Sequence, residues 1–236
     1  MSKTIFLTSS PTGDLDGRYT CEGFDTRNGF LDQLLAVWPE NARCLMITAA
    51  PAEADRNDEM TGFFHDAIIK SGLTVSCMDL WDDRTADFSD ACLLSYQVIF
   101  LGGGHVPTQN AFFTRIGLRE KMQHFEGLVI GISAGSMNSA DIVYAQPELP
   151  GESIDPAYQR FLTGLDLTKT MILPHYQMVK DSLLDGQRLF EDITYGDSAG
   201  REFLVLPDGS YLMIRDDRET VCGPAWIIRD KQLLSL

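Results

Sequence analysis

The sequence predicts an α/β domain: a mostly parallel central sheet with helices on both faces and mixed or antiparallel strands at its C-terminal edge. Three observations predict it. Short aliphatic runs alternate with amphipathic stretches through the first half of the chain. One of those runs leads directly into a glycine-flanked serine and a helix of small residues, a strand–turn–helix junction. From Phe203 onward the pattern changes to short strands punctuated by turn residues.

The elements follow in order. Thr4–Thr8 reads as a first strand, and Gly29–Trp38 as a helix with Phe30, Leu31, Leu34, Leu35 and Trp38 on one face. Cys44–Thr48 is a buried strand. Asn57–Lys70 is a helix with Met60, Phe63, Phe64, Ala67 and Ile68 as its apolar stripe. Leu73–Met78 and Gln97–Leu101 supply the third and fourth strands, Thr108–Ile116 a short helix, and Gly127–Gly131 the fifth strand. FLVL, SYLMIR and AWII then read as an antiparallel or mixed edge closing the fold. No repeat, low-complexity tract or linker interrupts the 236 residues, so we expect one domain over residues 1–236. Two irregular segments, Ser9–Asp25 and Tyr144–Arg160, are longer than simple connections require. We read them as active-site lids ahead of idle surface loops.

Composition narrows the function classes. With 19 Lys and Arg against 34 Asp and Glu, the formal net charge is −15 and no basic run appears. Nucleic-acid binding, which draws its affinity from clustered cations, is not expected. The apolar runs fall far short of the roughly 20 residues that span a membrane, and the N-terminus lacks a signal-peptide pattern. We therefore expect a cytoplasmic protein. The five cysteines are scattered and form no CxxC pair, so neither a disulfide framework nor a metal site is expected.

The chemistry-bearing stretch is Gly127–Ala140, where Gly131-Ile132-Ser133-Ala134-Gly135 is a G-x-S-x-G pattern between a strand and a helix. A serine on so sharp a turn occupies a strained backbone, and the positions two before and two after it must be small. Its hydroxyl is then lifted clear of the sheet. The plain alternative is a tight turn whose serine caps a helix. A serine nucleophile needs a base, and the chain has four histidines. His65 lies in an amphipathic helix and His124 in a polar stretch. His105 follows Gly102-Gly103-Gly104, where it could line the site, and His175 ends the apolar run Met171–Pro174. His175 is the first choice as base and His105 the second. One N–H of the triple glycine, with that of Ala134, would make an oxyanion hole.

Together these segments resemble the dipeptidase E and cyanophycinase family of serine peptidases, relatives of class I glutamine amidotransferases. Ile99–Gly104 is similar to the family's glycine-rich segment, Gly131–Gly135 to its nucleophile elbow and Leu173–Tyr176 to its histidine segment. Leu206-Pro207-Asp208-Gly209 resembles the place where the family carries an acid. The resemblance implies Ser133 as nucleophile, His175 as base, Asp208 as the group orienting the imidazole, and Gly103, Gly104 and Ala134 as the oxyanion hole. It also implies substrate contacts at His105, which stands where the family has asparagine, and at Asn138, displaced by one position from the expected asparagine. Glu148, in the long loop, is a second choice for the third triad member.

The implied activity is a serine exopeptidase cleaving short peptides through an acyl-enzyme, with Asp-X dipeptides as one specificity, no cofactor and no metal. The partner is a small peptide, with no nucleic acid or membrane. A homodimer is compatible with the sequence, which does not fix the oligomeric state. Three rivals stand beside this reading. A glutamine amidotransferase-like amide hydrolase would carry a cysteine in the elbow and a His-x-Glu pair, whereas this chain has Ser133 and His175-Tyr176-Gln177. A non-catalytic binding module would not need the elbow serine. An esterase of convergent design is separable by testing ester against amide substrates, whereas the α/β-hydrolase esterases, with the order Ser, Asp, His rather than Ser, His, acid, drop out.

Overall fold

Apolar runs of four or five residues can be buried on both faces only where helices cover both, and the strands of the first half are placed in this way. The computed structural model describes residues 3–12, 22–85 and 89–236. The chain runs through β1 (Thr4–Thr8), α1 (Phe30–Val37), β2 (Ala42–Ile47), α2 (Ala54–Lys70), β3 (Val75–Trp81) and α3 (Asp90–Leu93). It continues through β4 (Val98–Leu101), α4 (Val106–Arg115), α5 (Leu118–Gln123), β5 (Leu128–Ile132) and α6 (Ala134–Asn138). Strands β1, β5, β4, β2 and β3 lie side by side in that order and are parallel.

Alternation along each strand sorts its residues between two cores. Ile5, Leu7, Leu45, Ile47, Ile99, Leu101 and Val129 face one side, where Phe112, Phe113, Leu118 and Met122 of α4 and α5 cover them. Phe6, Cys44, Met46, Phe100 and Ile130 face the other, under Phe30 and Leu34 of α1 and Phe64, Ala67 and Ile68 of α2. The helix α5, six residues of LREKMQ, has no counterpart in the sequence reading because a segment that short completes too few turns to show a period.

The second half departs further from expectation. β6 (Ile142–Tyr144) and β7 (Phe161–Thr163) pair with each other and close off the segment between them. Next come β8 (Met171–Leu173), α7 (Tyr176–Val179) and the short hairpin of β9 (Leu183–Leu184) and β10 (Gln187–Arg188). A π-helical turn leads into α8 (Tyr195–Asp197). The last strands are β11 (Glu202–Val205), β12 (Tyr211–Arg215), β13 (Arg218–Cys222), β14 (Trp226–Arg229) and β15 (Gln232–Ser235). Only β12 and β13 join the central sheet, antiparallel beside β1. FLVL and AWII instead belong to a separate four-stranded sheet, ordered β15-β14-β11-β8. That sheet buries apolar side chains on both faces. Ile172, Leu204 and Leu206 enter the core shared with β1 and β5. Leu173, Phe203, Val205 and Ile228 form a third core with Val106, Ala134, Met137 and Tyr144.

Candidate active site

The parallel register brings three strand ends together. Thr8 of β1 pairs with Ile132 of β5, and Leu101 of β4 with Gly131. Ser133 therefore leaves the sheet between the end of β1 and the Gly102–Gly104 turn that follows β4. Its backbone has φ 49° and ψ −108°, a conformation that costs a non-glycine residue about 1–3 kcal/mol and persists only where the surroundings impose it. Here the Ser133 N–H is held by the Thr8 carbonyl at 3.1 Å, and the Ser136 hydroxyl donates to the same oxygen at 2.7 Å. The flanking glycines are sterically required. A Cβ on Gly131 would stand 2.9 Å from both Leu7 Cδ2 and Ser136 Oγ, and one on Gly135 would overlap the Leu101 carbonyl. A Cβ on Gly103 would touch the Ser133 Cβ at 3.5 Å, so the backbone of the triple glycine runs beside the elbow serine.

His175 and Asp208 come from the second sheet. β8 and β11 are parallel neighbours with Leu173 opposite Val205, so the residues just beyond their carboxyl ends emerge side by side. His175 Nδ1 lies 2.7 Å from Asp208 Oδ1. Asp208 is closed in by two further donors: the Ser9 hydroxyl reaches Oδ1 at 2.6 Å and Gln177 Nε2 reaches Oδ2 at 2.6 Å. The Asp208 N–H in turn donates to Gln177 Oε1 at 3.1 Å. Burial alone would raise this carboxyl, but the hydrogen bonds from His175, Ser9 and Gln177 outweigh it and hold Asp208 below the usual carboxylate range. An ionised Asp208 accepts the proton of Nδ1, which leaves the other ring nitrogen, Nε2, with its lone pair free. Ser133 Oγ and His175 are not hydrogen-bonded to each other in this conformation; such contacts commonly tighten only when substrate binds.

His105 stands at the start of α4, where Nδ1 is 2.7 Å from Thr108 Oγ1 and Nε2 is 2.8 Å from Glu152 Oε1. Glu152 lies in the 144–160 segment, and its other oxygen accepts the N–H groups of Glu148 and Leu149 at 2.8 and 2.9 Å. The long loop is thus pinned to the triple-glycine turn. It is also tied to the second sheet, where Tyr144 stacks on Phe203 with ring centroids 4.3 Å apart. The Glu148 side chain makes no hydrogen bond or ion pair with a described residue. Partial desolvation, helped by the neighbouring Glu152 carboxylate, raises its carboxyl above the ordinary range, against the pull of His105, His175 and Arg56 around it. Glu148 therefore lies within electrostatic reach of His175, but Asp208 is the acid bonded to the imidazole.

One expected contact is corrected. Asn138 is wholly buried, donating to Val106 O and Gln109 Oε1 and accepting from Asn110 Nδ2. Its amide joins α6 to α4 with both N–H groups donated and the side chain wholly buried, so it does not face a ligand. Ser9, Gln177 and Glu152 carry the site's polar framework yet were not singled out as site residues in the sequence. Ser9 and Glu152 sit in irregular segments without a motif. Gln177 stands in the histidine motif, where the sequence marks it only as a departure from His-x-Glu. The first long segment, Ser9–Asp25, lies partly outside the described residues, so residues 13–21 contribute nothing here. Among the described residues no group of three His, Cys, Asp or Glu side chains gathers as a metal-ligand set. A cavity of about 340 Å³ opens at the opposite, amino-terminal end of the sheet, lined by Thr4, Gln97, His124 and Glu126 among others. It contains none of the groups described above.

Comparison with known proteins bears on the fold and the family. The chain spans a solved peptidase from an acI-B1 Actinobacterium with a TM-score of 0.65 and 15% identity, covering 100% of this chain and 94% of that one. It also superposes on a protein assigned as peptidase E from Listeria monocytogenes EGD-e, with a TM-score of 0.58 and 17% identity over 94% of this chain and 98% of that one. At these identities the likeness is one of fold. No curated protein sequence matches. The sequence model of peptidase family S51 matches residues 20–222, and on that match the chain belongs to peptidase family S51 and is a serine-type peptidase.

Proposed function

We propose that the protein is a serine exopeptidase that cleaves short peptides through an acyl-enzyme on Ser133. In this mechanism Ser133 Oγ attacks the scissile carbonyl while His175 Nε2 takes its proton, and Asp208 holds the imidazole in the required tautomer. The N–H of Ala134 and that of Gly103 or Gly104 receive the oxyanion. His175 then protonates the leaving amine, and water, activated by the same imidazole, releases the acyl group. The observation that carries this reading is the 2.7 Å pair of His175 and Asp208, anchored on the β1 end that also holds the Ser133 N–H.

Two features support an exopeptidase acting on short peptides. The 144–160 loop is fastened beside the elbow through Glu152 and His105, which narrows the approach to extended chains. The Glu148 carboxyl group, which has no side-chain partner among the described residues and feels the charges of His105 and His175, would offer a free α-ammonium group a negative partner. Asp-X specificity needs a cation for the substrate carboxylate. Between His175 and Asp208 these are Lys180, near the Tyr176 ring, Arg188, paired to Asp192, and Arg201, over the Phe161 ring. Any of these three that took the substrate carboxylate would have to leave its present partner, whereas Arg56 beside Glu148 and Arg27 beside Asp208 lie outside that span. The setting we propose is the cytoplasm, on the scattered cysteines that form no CxxC pair.

A mass-spectrometric panel of dipeptides and tripeptides, each with a free or acetylated N-terminus, tests this reading against the wild type and Ser133→Ala. The expected result is cleavage of free-N-terminal peptides by the wild type only. Undiminished cleavage by Ser133→Ala would overturn the mechanism, and equal cleavage of acetylated peptides would overturn the exopeptidase assignment.

A further inference from the structure

Ser9 is fully buried at the carboxyl end of β1, and its hydroxyl is saturated by the candidate catalytic pair. It donates to Asp208 Oδ1 at 2.6 Å, accepts the His175 N–H at 2.7 Å, and lies 3.4 Å from His175 Nδ1. One side chain from the central sheet therefore touches both partners, which come from the second sheet. The next residue back, Thr8, holds the Ser133 N–H. His175 also needs such a hold, because it adopts φ 58° and ψ 37°, a left-handed conformation unusual for a residue with a side chain.

We infer that Ser9 is a positioning residue that registers the His175–Asp208 pair against the Ser133 elbow, linking the two sheets at the point where the chemistry takes place. The inference rests on the proposed roles of Ser133, His175 and Asp208. Ser9 acts through two bonds. Its oxygen fixes the backbone of His175, and its proton draws charge from the carboxylate oxygen that His175 itself uses.

Those two bonds predict separate effects for Ser9→Ala. Loss of the backbone hold lets the imidazole drift, so kcat per active site falls by about 10–100-fold, the scale on which the supports of reacting groups act, with KM changed little. Loss of the donated proton leaves more charge on Asp208 Oδ1 facing the imidazolium, which then keeps its proton to higher pH. The acid limb of the kcat/KM profile therefore moves upward. The other charged groups around this pair, Glu148 near His175 and Arg27 near Asp208, are unaltered in the variant. Ser9→Cys, close to isosteric but a weaker donor, falls between serine and alanine and carries the test if the alanine variant does not fold.

The experiment measures kcat, KM and the pH profile on the best peptide of the panel for wild type, Ser9→Ala, Ser9→Cys, Asp208→Asn and the double variant Ser9→Ala/Asp208→Asn. Rates are normalised to sites titrated with an active-serine reagent. The expected result is a graded loss with an upward-moving acid limb, and little further cost from Ser9→Ala once Asp208 is asparagine, since the two act as one unit. Unchanged kcat, or an unmoved acid limb with fully additive losses, would overturn the role of Ser9 while leaving the triad intact. Full activity in Asp208→Asn would instead overturn the triad reading on which it rests.

Discussion

Asp208→Asn is expected to lower kcat by about 10³–10⁴-fold, the scale seen when a triad acid loses its charge, while the protein stays folded. The carboxylate accepts three hydrogen bonds, from His175, Ser9 and Gln177. An asparagine has only one acceptor oxygen and must aim an N–H₂ group at one side. Turned toward His175, that group faces Nδ1–H and forces the proton onto Nε2, which can then no longer take the Ser133 proton. Turned toward Gln177, it faces the Gln177 amide donor; flipping Gln177 to relieve this would set that donor against the Asp208 N–H. Neither orientation satisfies the site, and both remove the charge that stabilises the imidazolium. Glu148→Gln serves as the comparison, because Glu148 makes no bond to His175: its loss is expected chiefly in KM and about tenfold at most. Steady-state kinetics on one dipeptide would distinguish the two acids. The reverse order of effects would make Glu148 the third member of the triad.

The largest expected effect on stability is that of Gly135→Ala. The added methyl has to displace the Leu101 carbonyl, which is backbone at the end of β4 and cannot swing aside as a side chain can. Opening the contact between α6 and β4 should cost at least about 3 kcal/mol, or a melting temperature lower by roughly 6–12 °C in a chain of this length. Gly62→Ala is the matched control. Gly62 is an exposed position in α2 with nothing within 4 Å of an added Cβ, so alanine there should stabilise by about 0.5–1 kcal/mol through helix propensity. Thermal unfolding of both variants tests the pair. A Gly135→Ala protein as stable as wild type would mean that the elbow does not need its small residues.

The features legible in the sequence are those governed by local periodicity and steric rules. The buried runs of β4 and β5, the apolar stripe of α2 and the requirement for small residues at Gly131 and Gly135 all follow from a few neighbouring residues, and the structure bears each of them out. Strand partnership is a different kind of information. FLVL and SYLMIR look alike as isolated segments, yet β11 joins the second sheet and β12 the central one. What separates them is which core their alternate side chains can fill, and that emerges only when Leu173, Phe203 and Tyr144 meet. The same limit hid Ser9 and Glu152. A buried serine 199 positions from the aspartate it contacts, or a loop glutamate that caps its own turn and a distant histidine, leaves no periodic or motif signal. The expected role of Asn138 was misplaced for the complementary reason, since sequence proximity to the elbow does not reveal that the side chain turns inward to α4.

The most direct test of the account is covalent trapping of the nucleophile. The protein, active on a dipeptide, is incubated with a phosphonofluoridate, which phosphonylates an activated serine far faster than other side chains, and the adduct is located by peptide mapping. The account predicts one adduct per chain, on Ser133, formed in step with the loss of activity and absent from Ser133→Ala. Complete inactivation with the adduct on another residue, or full peptidase activity in an enzyme whose Ser133 is stoichiometrically blocked, would contradict it.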